Sequence, residues 1–231
     1  GKEALKIGTL VHNAVTKLTA RKKKMKEDME SIFEMIAEAD SVESLSLATE
    51  CLTTVLDYKM AEKDKQIFQE LQKTIADLQT DVKMIESYSD NRKIFENAIQ
   101  QYREKYSDEN LEYDFIPVIE DCITQTKKKM DQEDANWRKR YLTLGNKSRQ
   151  DVYRWKDSIK MLPGFLSDET QMDVQKLDLE ADKIISDAKI EDVLQYFNKL
   201  SISEKVKCVQ ILTIQIQEDN SDMHLNSDED V

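Results

Sequence analysis

The sequence is poor in the two residues that punctuate protein chains: 231 residues hold only four glycines and two prolines. Average usage would supply several times more of each. Glycine provides positive φ at tight turns, and proline ends helices. Their scarcity excludes a fold of many short strands and turns, and leaves long uninterrupted elements. No apolar run approaches the ~20 residues of a membrane span, and no stretch has the apolar core of a signal peptide. The three cysteines, Cys51, Cys122 and Cys208, are odd in number and widely spaced, with no CxxC. That pattern argues against a disulfide framework and fits a reducing, intracellular setting, cytoplasmic or nuclear. Each lies at or beside an apolar helical position, so three buried free thiols are expected.

Catalytic signatures are missing too. His12 and His224 are the only histidines, one on a helix beside Val11 and one in an acidic tail. No GxSxG, P-loop, GxGxxG or HExxH occurs. The carboxylates are dispersed along helix surfaces, and paired acids need a shaped cleft before they can share acid–base work. No catalytic residue, metal ligand or cofactor follows from these residues, and a non-enzyme is expected.

What the chain has is charge and period. Charged residues make up 35% and apolar ones 39%, a balance that suits amphipathic helices burying narrow stripes. Residues 3–39 read as one helix of roughly 55 Å, with Ile7, Val11, Ala14, Leu18, Met25, Met29, Ile32 and Ile36 on a heptad-like stripe. A capping-box-like restart at Asp40–Glu43 allows a short reversal. A second helix then reads from about 42 to 88. Its later half carries Phe68, Leu71, Ile75, Leu78, Val82 and Ile85 at strict 3-4 spacing, and its polar stretch 57–65 reads as a stutter, kink or exposed segment.

Asn91 ends a Ser-Asp-Asn cap before a helix to Tyr106. Residues 106–114 read as loop. Pro117 suits the first turn of the next helix, with Gly145 past its end. Beyond Gly145 the elements shorten. Ser148 and Ser167 read as caps, Ser186-Asp187 as a restart, and Ser201-Ile-Ser-Glu204 as a capping box before an apolar segment at 203–217. The expected fold is all-α: an elongated antiparallel coiled-coil or helical bundle over 1–144, a small cluster of short helices over 145–218, and a disordered acidic tail over 219–231.

The net charge of −12 is unevenly spread. Residues 1–26 carry eight Lys/Arg against one Glu, and 219–231 carry five acids and no Lys or Arg. The basic run from Lys17 to Lys26 reads either as a solvated helix face, or as a localisation signal or phosphate-contacting face. From 138 to 160 there are eight bases and two acids, interleaved with Tyr141, Tyr153 and Trp155. That mixture suits phosphates with stacking or an anionic bilayer surface, although the aromatics also fit core stripes. Candidate phosphate contacts are Lys127, Lys128, Lys129, Arg138, Lys139, Arg140, Lys147 and Arg149. At the C-terminus, Ser227 before acids resembles an acidophilic-kinase site and terminal Val231 a PDZ ligand, while VQIL at 209–212 resembles a SUMO-interacting strand if it is not helical.

The expectation is a scaffold or adaptor subunit of an intracellular assembly, binding helical, coiled-coil protein partners through faces that a two-helix hairpin leaves open. Met25, Met29, Phe68 and Leu71 are candidate partner contacts, and a homodimer is compatible with the same seams. The alternatives are a nucleic-acid-associated subunit using 127–160, or a BAR-like dimer on anionic membrane.

Overall fold

In a computed structural model the backbone is described for residues 1–229 and side chains through residue 223. The fold is all-α: 83% of the described residues are helical. The described residues form eight α-helices and no strand: α1 Lys2–Ala37, α2 Val42–Leu56, α3 Glu62–Ser87, α4 Arg92–Tyr106, α5 Ile116–Tyr141, α6 Arg149–Ser158, α7 Asp168–Asn198 and α8 Ile202–Glu229. The sequence at 203–217 is helix, which removes the strand-based SUMO reading. Ser227 has no described side chain and Val231 has no described backbone, so the kinase-site and PDZ-ligand readings lie outside the described residues.

The chain divides into two compact units. The first comprises 1–138 and 162–171, the second 139–161 and 172–231. The change in texture at 145 is therefore offset from the division in space, and the ten residues after Met161 belong with the first unit.

The first unit is built on one core. α3 supplies Phe68, Leu71, Ile75, Leu78, Val82 and Ile85, none more than 4% exposed. α2 adds Leu45, Ala48, Leu52 and Val55, and α5 adds Val118, Ile119, Cys122, Ile123 and Met130. α1 reaches this core only through its last third, where Ile32 and Ile36 are buried and the Phe33 ring lies 5.2 Å from that of Phe68.

Local signals set most boundaries. Ser41 caps α2 in a reciprocal box with Ser44, so the box is one residue later than the Asp40–Glu43 reading. Asn91 caps α4 by accepting from the Ile94 N–H, after a 3-10 turn at Tyr88–Asp90. Ser148 caps α6 by accepting from the Asp151 N–H. Ser201 and Glu204 form the reciprocal box of α8 at 3.0 and 3.2 Å. Gly145 has φ +63°, the left-handed region that glycine enters without penalty. Gly164 is needed for a different reason: a Cβ there would meet the Asp90 carbonyl at 2.7 Å, where the Gly164 carbonyl accepts from the Arg92 N–H.

Four expectations need correction. The helix expected over 42–88 is two helices, because residues 57–61 leave helical geometry and α3 restarts at Glu62 with Ala61 providing no side-chain cap. The restart at Ser186-Asp187 does not occur. α7 is one 31-residue helix, since Ser and Asp inside a helix cost only tenths of a kcal/mol and no Gly or Pro intervenes. α8 continues as helix through 219–229, past the boundary expected at 218. Of the three thiols only Cys122 is buried; Cys208 is half-buried, and Cys51 stands beside the Ala48–Leu52 stripe and faces solvent.

Candidate binding surfaces

Two helical segments carry apolar stripes that nothing in their own unit covers. The first is the leading part of α1. Every residue from 1 to 24 is exposed, including Ile7 at 62%, Val11 at 56% and Leu18 at 54%. Met25 and Met29 mark the transition, both half-buried, with Met29 against the core. Tyr58 donates to Asp28 Oδ2 at 3.0 Å and ties α1 down near the same point. The other two candidate contacts have a different fate: Phe68 and Leu71 are enclosed in the core and offer no surface in the folded chain.

The second stripe is α8. Lys205 and Cys208 are half-buried, with the Lys205 ammonium 5.8 Å from the Phe197 ring at the end of α7. From Val209 to Met223 every side chain is exposed. Sequence periodicity finds such stripes but cannot say whether the same chain covers them, because coverage depends on which helices the topology brings together.

The basic region is not a bare patch. Arg138 donates to Thr170 Oγ1 at 2.9 Å, within the polar cluster that starts α7. There Asp134, buried on α5, accepts from the Ser167 N–H at 2.9 Å, from Ser167 Oγ at 3.2 Å and from Thr170 Oγ1 at 3.0 Å. In the second unit, Lys147 pairs with Glu180 at 2.5 Å. Arg149 pairs with Asp192 at 2.7 Å and also donates to the Ala188 carbonyl. Lys156 lies between Asp178 and Asp182 of α7. These carboxylates, on the next helix but far along the chain, answer most of the local excess. Hydrogen bonding to Asp192 holds the Arg149 guanidinium above its usual range, and Asp182, then Asp178, do the same for the Lys156 ammonium. Lys127, Lys128, Lys129, Lys139 and Arg140 remain exposed, with Arg140 set over the Tyr141 ring at 5.2 Å. Trp155 and Trp137 are buried, and Trp155 donates to the Tyr141 carbonyl at 2.6 Å. Their indoles are packing groups, unavailable for stacking on bases.

No group of three or more His, Cys, Asp or Glu side chains among the described residues is arranged to hold a metal ion. Burial pushes the Cys122 thiol up to about 11, which makes it inert as a nucleophile at neutral pH. No described helix is long and apolar enough to cross a membrane. Comparison with known proteins finds no matching family model, no matching curated protein and no matching solved structure.

Proposed function

We propose that the chain is a non-enzymatic scaffold or adaptor subunit that binds a protein partner through helical faces, with the exposed leading part of α1 as its principal docking surface. The observation that carries this reading is the uncovered stripe on α1. A single amphipathic helix in water is marginal, because its stability in a protein comes from packing one face. Residues 2–24 have the period of a packed helix, and every one of them is exposed.

Charge states what kind of helix fits. With eight bases and one acid over residues 1–26, a second copy of α1 would bring like charges together along the seam. An acidic amphipathic helix would bury the stripe and answer Lys17, Arg21 and the Lys22–Lys24 run at the flanking positions. Met25 and Met29 stand where such a helix would meet the folded unit, and methionine adapts to varied partners. Contact with nucleic acid or anionic membrane through 127–160 is the weaker reading, since Arg138, Lys147 and Arg149 already have protein partners.

The test is cross-linking mass spectrometry on the chain purified with its native partners. Cross-links from Lys17 and Lys22–Lys26 to an acidic helical segment of one stoichiometric partner are expected. Ile7→Asp/Val11→Asp/Leu18→Asp should remove that partner and leave the thermal midpoint unchanged. A partner retained by this variant, or one whose cross-links avoid α1, would overturn the reading. So would salt-sensitive binding of duplex DNA or anionic vesicles that survives the triple change.

A further inference from the structure

We propose that α8 is a self-association element: two copies of the chain pair through antiparallel α8 helices around a two-fold axis near residues 211–212.

The seam is written in the spacing. Ile202, Val206, Val209, Thr213, Ile216, Asn220 and Met223 follow one another at steps of 4-3-4-3-4-3, the a/d repeat of a coiled coil. Its apolar members are all open to solvent, from 51% at Val209 to 82% at Ile202. Lys205 and Cys208, half-buried toward the end of α7, border this seam but are not part of it. The coil seam is thus left free by the chain's own packing.

The occupant is fixed by charge. α8 has Lys205 and Lys207 near its start, beside Glu204, whose carboxylate is taken up by the cap with Ser201, and Glu218, Asp219 and Asp222 in its later half. A parallel pair would stack acid on acid, whereas an antiparallel pair sets each basic end against the other's acidic end. In that orientation a residues face d residues, which gives layers Ile202–Asn220, Val206–Ile216 and Val209–Thr213, each repeated by symmetry. Flanking g positions face g positions, so Lys205 of one copy meets Asp219 of the other, twice, with Leu212 beside Leu212 at the axis. Two seam positions are polar, Thr213 in the layers next to the axis and Asn220 in the end layers, and Asn220 facing Ile202 is the kind of residue that fixes register. This pairing is independent of the α1 surface: a monomer could still bind a partner through α1, and a dimer could still lack one.

Light scattering and sedimentation equilibrium on the full chain test it. Wild type should approach twice the 26.9 kDa chain mass as concentration rises. Val209→Asp should give a monomer at every concentration with unchanged helicity, because that side chain is 51% exposed within the single chain. Lys205→Asp and Asp219→Lys should each weaken the dimer by about tenfold, since each change turns both symmetric pairs from attractive to repulsive. The double variant should return to wild-type affinity. A wild-type chain that stays monomeric overturns the proposal, and so does a dimer that Val209→Asp leaves intact. Charge reversals without mutual rescue overturn the antiparallel register.

Discussion

α3 and α8 carry the same kind of pattern and meet opposite fates. α3 has six apolar residues at 3-4 spacing, and all six are in the core. α8 has an equally regular seam, and its apolar members are all exposed. Charge does not separate them sharply, since each helix holds six Asp or Glu, with four Lys in α3 and two in α8. What separates them is the neighbourhood: α2, α4 and α5 contribute to the core around α3, while α8 follows α7 without being laid against it along its length. A periodic stripe states that a face needs covering. It does not state which chain supplies the cover.

The sharpest way to break that comparison is to make the same truncation on both helices. Leu78→Ala removes a side chain that is 1% exposed and should cost about 3–5 kcal/mol, the range for cavity-forming core changes. Ile216→Ala on α8 should change the unfolding free energy of the monomeric chain by less than about 0.5 kcal/mol. Urea titration at a concentration too low for association reads both. Comparable losses at the two sites would mean that α8 is packed in solution within one chain.

Polar contacts show a parallel contrast. Asp134 is a buried carboxylate on α5 that accepts three hydrogen bonds from Ser167 and Thr170. It is the only acid in the protein's described core, and it anchors the first turn of α7 to α5 within the first unit. Asp134→Ala leaves the Ser167 N–H and the Thr170 hydroxyl without their acceptor, and should cost about 2–3 kcal/mol by the same titration. Arg149→Ala, which removes an exposed pair with Asp192, should cost clearly less by the same titration, because solvent screens that pair. A larger loss at Arg149 than at Asp134 would reverse the ranking drawn from burial.

How much of this was legible in the sequence depends on the range of the interaction. Caps act over three residues, so Asn91, Ser148 and the Ser201–Glu204 box could be read directly, as could Pro117 in the first turn of α5; Gly145, expected to close that helix, instead lies in a turn four residues past its end at Tyr141. The break at 57–61 could be seen only as polarity, because no Gly, Pro or capping side chain marks it. The continuity of α7 was hidden by Ser186-Asp187, a good cap dipeptide in isolation that a long helix tolerates. The charge pairing was the least legible. Lys147–Glu180 and Arg149–Asp192 are separated by 33 and 43 residues, and nothing in the local excess of bases between 138 and 160 announces that α7 will answer it. Likewise, Phe68 and Leu71 share the spacing of an interaction seam, and only the packed neighbours show that the seam is internal.

Among the buried side chains, the smallest effect at neutral pH is also the one with the clearest pH signature. Tyr106 at the end of α4 is 8% exposed and donates to Asp81 Oδ2 on α3, where Lys105 also reaches the same carboxylate. Burial, followed by the hydrogen bond to Asp81, raises the Tyr106 phenol well above its ordinary 10. A raised value in the folded state means that the unfolded chain loses this proton first. The contribution is therefore fully present below pH ~10 and is lost progressively as pH climbs above it, because ionising Tyr106 in place would set a phenolate against a carboxylate. Tyr106→Phe keeps the ring buried and gives up one bond to a charged acceptor, so it should cost about 1–2 kcal/mol at pH 7. Above pH ~10 wild-type stability should fall more steeply than that of Tyr106→Phe, and the two curves should converge. Curves that stay parallel through that window would mean that Tyr106 ionises as freely as a tyrosine in water, and that the α3–α4 contact is open to solvent like the seam of α8.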